Sequence, residues 1–123
     1  MVIDLRHHLG RLGERLAREH LERLGLRLVA SNYRTRFGEI DLIVCDETWL
    51  VFVEVKTRRA GALESSLHAV SSDKCRRVRK MAAAWLVEAP DRPRSRDLRF
   101  DVVGVTVDRN SQLVRLDHIE AAF

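Results

Sequence analysis

The first part of the chain alternates apolar and charged positions with the period of an α-helix. Between residues 5 and 24, apolar side chains recur every three or four positions, and arginines and glutamates fill the positions between them. A helix with this pattern buries one face and exposes the other. The residues predicted on the buried face are Leu9, Leu12, Leu16, Ala17, His20 and Leu24.

Short apolar runs separated by turn residues follow this helix and predict β-strands. The predicted strands cover residues 26–30, 40–45, 50–56, 98–105 and 113–116. The second and third should form a hairpin around Glu47-Thr48. Because apolar residues fill both of their faces, these two strands should be central and covered on both sides. Asn32, Tyr33 and Arg34 are expected to connect the first strand to the hairpin, and residues 58–66 to form a loop.

A second helical pattern begins at Ser72 and ends before Pro90. Its predicted buried stripe consists of Val78, Met81, Ala82, Trp85 and Leu86. The complete order, α-β-β-β-α-β-β, predicts an α/β sandwich in which helices flank a mixed central sheet. Because 123 residues are too few for two independent cores, residues 1–123 are expected to form one domain.

Charged residues interrupt the hairpin strands where the pattern calls for apolar ones. With Glu47-Thr48 at the turn, Asp41 faces Glu54, and directly opposed Cβ atoms lie about 5 Å apart. Two carboxylates at that spacing repel each other unless they share a proton or a cation. Lys56 lies on the same strand face as Glu54 and adds a positive charge. These groups suit phosphodiester hydrolysis, although a solvated strand face is the alternative interpretation.

Composition narrows the class of protein. The chain is 46% hydrophobic and 33% charged, as in soluble globular proteins, and its apolar runs are too short to span a bilayer. The N-terminus lacks the apolar segment of a secretory signal. Cys45 and Cys75 lack CxxC spacing and are expected to be reduced thiols. We therefore expect a cytoplasmic protein with no membrane partner. The net charge of +4 favours polyanionic partners only weakly.

Several sequence blocks resemble a known family. GEIDLI followed by VFVEVKTR resembles the PD-(D/E)XK nuclease signature, with Asp41, Glu54 and Lys56 as its three named positions. Together with LGRLGERLAREHL, AVSSDKCRRV and RFDVVGV, these blocks make nearly the whole chain resemble the YraN family, which is similar to archaeal Holliday-junction resolvases. The resemblance implies a restriction-endonuclease-like fold more firmly than it implies an activity.

The same resemblance implies roles for further residues. An acid on the first helix joins the metal site in resolvase-like members, and Glu14 occupies that position here. The implied ligands of Mg²⁺ or Mn²⁺ are Glu14, Asp41, Glu54 and the carbonyl of Val55, while Lys56 orients or activates the water. Lys74 would contact a phosphate. A surface glutamate at position 14 and a lysine reaching out from the core edge at position 74 are the alternatives.

Basic residues surround the predicted site. Those expected to contact DNA are Arg58, Arg59, Lys74, Arg76, Arg77 and Lys80. A solvated basic surface is the alternative. No series of aromatic residues accompanies these charges, so the sequence does not support readout of single strands or of base sequence. A homodimer is left open, because the sequence does not determine the oligomeric state.

Three other polar features are assigned structural roles. Glu39 is expected on the strand face opposite Asp41, where it pairs with an arginine or, as the alternative, binds a second cation. Arg99 and Asp101 are expected to pair at the sheet edge. The five histidines show no metal-ligand spacing.

The resulting hypothesis is a metal-dependent endonuclease that hydrolyses phosphodiester bonds in branched or otherwise non-B DNA. One rival is a DNA-binding module that keeps the fold but does not cut. The other rival is a protein-interaction domain in which the acids and lysines form a buried ion network.

Overall fold

Two helices and five strands make up the regular structure of the described residues. The computed structural model describes residues 5–61, 72–89, 91, 93 and 96–123. The elements are α1 (Leu5–Arg23), β1 (Arg27–Thr35), β2 (Gly38–Cys45), β3 (Trp49–Arg59), α2 (Ser72–Glu88), β4 (Asp97–Val107) and β5 (Leu113–Ile119). This order confirms the predicted α/β architecture, which is that of a restriction-endonuclease-like sandwich.

The strands form one mixed sheet in the order β1-β2-β3-β4-β5. The pairs β1–β2, β2–β3 and β4–β5 are antiparallel, while β3 and β4 are parallel. Parallel neighbours need a crossover connection, and α2 lies between β3 and β4 in the chain. In the hairpin Cys45 pairs with Leu50 and Leu42 with Val53, which confirms the predicted register.

Each face of the sheet carries its own hydrophobic core. On one face Ala17 and Leu21 of α1 pack against alternate residues of β2, β3 and β4. On the other face α2 packs against the remaining apolar residues of β2 and β3, through Val78, Met81, Ala82 and Trp85. Both faces of the hairpin are therefore covered, as its apolar pattern predicts.

Helix α1 approaches β3 unusually closely at Gly13. A Cβ atom at this position would lie 1.8 Å from Oγ1 of Thr57, far inside van der Waals contact. Only glycine leaves room for the threonine side chain there. This contact holds α1 close to the sheet. Glu14, the next residue, therefore lies near the strands.

All five strands are longer than predicted, and two of the extensions replace an expected connection or loop. Asn32, Tyr33 and Arg34 belong to β1 instead of a connection, because β1 pairs with β2 as far as Thr35 and Gly38. Arg58 and Arg59 belong to β3 instead of a loop. Here the parallel pairing with β4 continues to Arg59, which lies opposite Val107. Residues 62–66 of the predicted loop lie outside the described part of the chain.

The end of α1 also differs from the prediction. The helix stops at Arg23, and Gly25 adopts a φ of 88° directly after it. Leu24 therefore leaves the buried face and is 53% exposed, whereas Leu21 is fully buried in the core.

A buried acid in β4, Asp101, organises a polar cluster of its own. Arg99 donates two hydrogen bonds of 2.9 Å to the Asp101 carboxylate, and His118 Nε2 lies 2.8 Å from it. Burial alone would raise the pKa of Asp101, but hydrogen bonds from His118, Arg99 and the Ala121 N–H lower it overall. The predicted Arg99–Asp101 pair is present, although β4 lies between β3 and β5 rather than at the sheet edge.

This cluster also contains a histidine pair that spacing along the chain does not reveal. His118 Nδ1 lies 3.0 Å from Nε2 of His20 in the last turn of α1. The pair links the C-terminal strand to the first helix. Both cysteines are free, as predicted. No helix in the described ranges is long and apolar enough to cross a bilayer.

The two glycines of α1 give a direct test of the close helix–sheet contact. We expect Gly13→Ala to destabilise the protein by about 1–3 kcal/mol, because its Cβ would overlap the Thr57 side chain. Gly10→Ala is the control, since no atom of the described residues lies within 4 Å of the position its methyl group would take, and it should stabilise the helix by about 1 kcal/mol. Chemical denaturation measures both changes, and equal effects of the two substitutions would contradict the contact.

Candidate active site

The backbone pairing between β2 and β3 ends next to Asp41, which leaves a gap between the two strands. Pairing of the two strands runs from Cys45–Leu50 to Leu42–Val53, while β3 stays paired with β4 along its length. At the end of the hairpin ladder the Val55 N–H donates a 2.8 Å hydrogen bond to Oδ2 of Asp41. The carboxylate therefore takes a backbone donor of the neighbouring strand, and it lies in the gap between the strands.

Three carboxylates meet at this gap. One oxygen each from Glu14, Glu39 and Asp41 lies within 4.8 Å of the others. Glu14 comes from α1, and the other two come from β2. Like charges at this distance repel strongly when they are partly removed from water. We refer to these three residues as the acidic triad.

Asn32 of β1 holds two members of the acidic triad. Its amide Nδ2 donates to Oε2 of Glu14 at 2.9 Å and to Oε1 of Glu39 at 3.0 Å. Asn32 has a φ of 49°, a conformation that asparagine tolerates better than most residues. Sequence reasoning missed this residue because it was placed in a connection. An asparagine inside a strand-like segment is the signal that could have identified it.

Glu39 is the second site residue for which the prediction was wrong. It was expected on the face opposite Asp41, but its carboxylate lies with that of Asp41. The strand begins earlier than predicted, at Gly38, so residues 39 and 41 are alternate positions of one strand and share a face. The predicted arginine partner is also present, since a guanidinium nitrogen of Arg34 lies 3.5 Å from Glu39 Oε2.

Glu54 lies with two lysines on the other side of the gap. Lys74 Nζ, from α2, is 2.5 Å from Oε1 of Glu54, and Lys56 Nζ is 3.8 Å from the same oxygen. The Glu54 and Lys74 side chains are 21% and 19% exposed, so both are largely shielded from water. We call Glu54, Lys56 and Lys74 the lysine cluster. The predicted ligand roles of Glu54 and of the Val55 carbonyl stay predictions.

The acidic triad and the lysine cluster contain carboxyl and amino groups whose pKa values are shifted in different directions. Burial raises the pKa of Asp41 to about 7, and the Glu54, Glu14 and Glu39 carboxylates act in the same direction against the Val55 hydrogen bond. A hydrogen bond with the Lys74 ammonium, together with burial, lowers the pKa of Lys56. Burial alone would lower the pKa of Lys74, but its hydrogen bonds to Glu54 and Lys56 raise it overall. Asp41 therefore ionises less readily than an ordinary carboxyl, and Lys56 gives up its proton more readily than Lys74.

The predicted pairing of Asp41 with Glu54 lies beyond the hairpin ladder, which ends at Leu42–Val53. Asp41 and Glu54 line one narrow cavity between the sheet and α2. Glu14 and Val55 line a second cavity of about 250 Å³ between α1 and β3, with Leu9, Gly10 and Thr57. The larger of these two cavities lies on the side of α1.

The predicted DNA-contacting residues fall into two sets. Arg76, Arg77 and Lys80 are exposed on α2, the helix that also carries Lys74. Arg58 and Arg59 are half-buried at the end of β3, and Arg59 donates a 2.9 Å hydrogen bond to the Asp108 carbonyl. The α2 set is thus the more accessible to a ligand, although Arg76 also contacts Asp73.

Comparison with known proteins gives a consistent family result. A family model described as "Uncharacterised protein family UPF0102" matches residues 13–105, a range that contains the acidic triad and the lysine cluster. The UPF0102 protein of Rhodococcus opacus is 43% identical over 115 residues, covering 94% of this chain and 95% of the relative. That of Frankia alni is 42% identical over 123 residues and covers both chains completely. That of Mycobacterium avium is 46% identical over 106 residues, covering 85% and 81%.

The raised pKa of Asp41 predicts how stability depends on pH when chelator is present. Since the folded-state pKa lies above the unfolded value of 3.8, wild type should lose stability as pH rises from about 4 to about 7. Asp41→Asn removes this titration, so it should stabilise the chelated protein by roughly 2–4 kcal/mol at pH 8 and by little at pH 4. Denaturant titrations at both pH values measure the difference.

Asp46 in the hairpin turn provides the matched control. Backbone hydrogen bonds from Trp49 and Thr48 lower the pKa of this carboxyl, so Asp46→Asn should destabilise the protein at pH 8. If Asp41→Asn also destabilises it there, the acidic triad is not under repulsion.

Proposed function

The chain belongs to the UPF0102 family, and we propose that it is a metal-dependent endonuclease acting on branched or otherwise non-B DNA. The single observation that carries the proposal is the meeting of the acidic triad, with oxygens within 4.8 Å of one another, beside the lysine cluster at one opening of the sheet. An acidic group that attracts a cation and an amine of lowered pKa together supply the parts that phosphodiester hydrolysis needs.

The residues of the acidic triad fit a hard divalent ion. All three offer carboxylate oxygens, the ligand type that Mg²⁺ and Mn²⁺ prefer. The burial of Asp41 and the carboxylates around it leave an excess of negative charge that a cation would relieve. Glu14, Glu39 and Asp41 would hold the ion. When bound, it would polarise a phosphate oxygen as a Lewis acid.

The two lysine amines of the lysine cluster would have different roles. Lys74, whose pKa is raised, keeps its charge and would attract the phosphate to be cleaved. Lys56, whose pKa is lowered, would in its neutral form accept a proton from the attacking water as the water oxygen bonds to phosphorus. The bond to the leaving oxygen breaks in the same step, and that oxygen takes a proton from solvent water. Glu54 positions both amines through its contacts of 2.5 Å and 3.8 Å.

The exposed face of α2 supports the choice of a nucleic-acid substrate. Arg76, Arg77 and Lys80 follow Lys74 on the same helix, so a phosphate backbone could extend from the site along this face. Contacts between such side chains and phosphates release counterions on binding. Affinity for DNA should therefore fall steeply as salt is added.

One observation favours a second candidate function. Glu54, a predicted metal ligand, is already engaged by two ammonium groups. A site whose acid is neutralised in this way could bind DNA without cutting it. Labelled duplex, single-stranded, flap and four-way DNA, each incubated with Mg²⁺, Mn²⁺ or chelator, would separate the two functions. Cutting that requires the metal supports the nuclease, and binding without cutting supports the DNA-binding module.

Replacing Lys56 tests the proposed chemistry at one residue. Lys56→Ala should slow cutting by a factor of about 10²–10³ under saturating DNA, because the group that handles the proton of the attacking water is gone. DNA affinity should change little. Single-turnover kinetics and fluorescence anisotropy measure the two quantities.

Lys80→Ala is the matched control, since it removes a lysine that is exposed on α2 and outside the lysine cluster. This variant should weaken DNA binding and keep the rate at saturation. If wild type cuts and Lys56→Ala cuts equally fast, the role assigned to Lys56 is wrong.

A further inference from the structure

Phe37 occupies the turn between β1 and β2, at the edge of the basic face of α2. The turn is held by Thr35, whose Oγ1 accepts a 3.1 Å hydrogen bond from the Phe37 N–H and donates one of 2.9 Å to the Gly38 carbonyl. The ring is half-buried and packs against the core on the α2 side. Its position is therefore fixed by local hydrogen bonds as well as by packing.

Two cations lie over the Phe37 ring. The guanidinium carbon of Arg36 is 4.7 Å from the ring centroid, and Nζ of Lys80 is 5.7 Å from it. Both distances are within the range of cation–π interactions. An aromatic ring among cationic side chains is a combination that binds a base and its phosphate together in single-strand-binding proteins.

Two grooves meet at Phe37 and Lys80. One has a volume of about 380 Å³ and is basic, because Arg76 and Arg77 line it together with Asp73. The other has a volume of about 680 Å³, and its floor contains Ala83, Ala84 and Val87. Val87 is 86% exposed, so its apolar side chain is accessible to a ligand. One groove thus suits a phosphate and the other suits an apolar, planar group.

Phe37 also lies close to the candidate active site along the chain. Phe37 is separated from Glu39 of the acidic triad by Gly38 alone, so the two Cα atoms are at most about 7 Å apart. A nucleotide bound at Phe37 would leave the neighbouring phosphodiester close to the triad.

From these features we infer that Phe37 and the two grooves bind one unpaired nucleotide of DNA. The base lies against Phe37, Ala84 and Val87, and its phosphate contacts Lys80 and Arg77. This inference rests on the proposed function and narrows its substrate: bases of an intact duplex are stacked and paired, so the substrate is DNA with unpaired nucleotides next to a duplex. Because the sequence shows no aromatic series, the proposed stacking depends on this single ring.

The test compares two DNAs in chelator, which prevents cutting: a duplex, and the same duplex with a single-stranded extension that carries 2-aminopurine at the fork. Phe37→Leu keeps an apolar side chain for the core but removes the ring. It should weaken binding of the extended DNA roughly tenfold or more, leave duplex binding unchanged, and abolish quenching of the 2-aminopurine. Phe37→Trp should restore both affinity and quenching.

Phe123→Leu is the control, because Phe123 is another half-buried aromatic of the same core, with its ring 5.9 Å from that of Phe100. It should bind both DNAs like wild type. If Phe37→Leu does not fold, Val87→Asp changes the same groove at an exposed position, and its carboxylate should weaken binding of the extended DNA alone.

The outcomes distinguish failure of the proposed function from failure of the nucleotide site. Wild type that binds neither DNA overturns the proposed DNA function, and the inference with it. Wild type that binds DNA while Phe37→Leu and Val87→Asp affect both DNAs equally, or neither, overturns only the inference. In the second case the two grooves would instead be a surface that contacts a protein partner.

Discussion

The hydrogen bond from the Val55 N–H to the Asp41 carboxylate is the interaction around which the candidate site is built. It replaces a backbone contact at the point where β2 and β3 stop pairing, so it fills the opening in the sheet with a charged group. A buried carboxylate is costly to ionise, and the neighbouring acids add to that cost. The close α1–β3 contact at Gly13, the Asn32 bridge and the early start of β2 all concentrate acids around this one carboxylate. The fold thus gathers several carboxylates around one hydrogen-bonded carboxyl whose ionisation is costly.

The lysine cluster is separate from the acidic triad, so its ammonium groups do not neutralise the triad. Had Lys74 paired with Asp41, the acids would have been neutralised and the site would be a structural ion network. Instead both lysines contact Glu54, while the acidic triad is contacted by Asn32, the Val55 N–H and the exposed Arg34. Strain of this kind is retained where a ligand relieves it. The same lysine arrangement lowers the pKa of Lys56, which prepares an amine to exchange a proton.

Features set by residues close together in the chain could be predicted from the sequence, whereas features set by contacts between distant residues could not. The hairpin register was predictable because strand side chains alternate with a period of two and the turn at Glu47-Thr48 fixes the pairing. The buried stripe of α2 was predictable from helical periodicity. Glu39 was misplaced because its face depends on where β2 begins, which is set by pairing with β1. The His20–His118 pair and the Phe37 grooves depend on contacts between elements far apart in the chain, which no local pattern encodes.

Binding of Mn²⁺, followed by electron paramagnetic resonance and by calorimetry, would establish whether the acidic triad is a metal site. Wild type should bind the ion at the acidic triad, Asp41→Asn should lose that binding, and Glu39→Gln should weaken it by removing one ligand charge. Glu47→Gln, at the exposed hairpin turn, should bind as wild type does. Equal affinity in all four proteins, or no binding by wild type, would contradict the assignment of the acidic triad as a metal site.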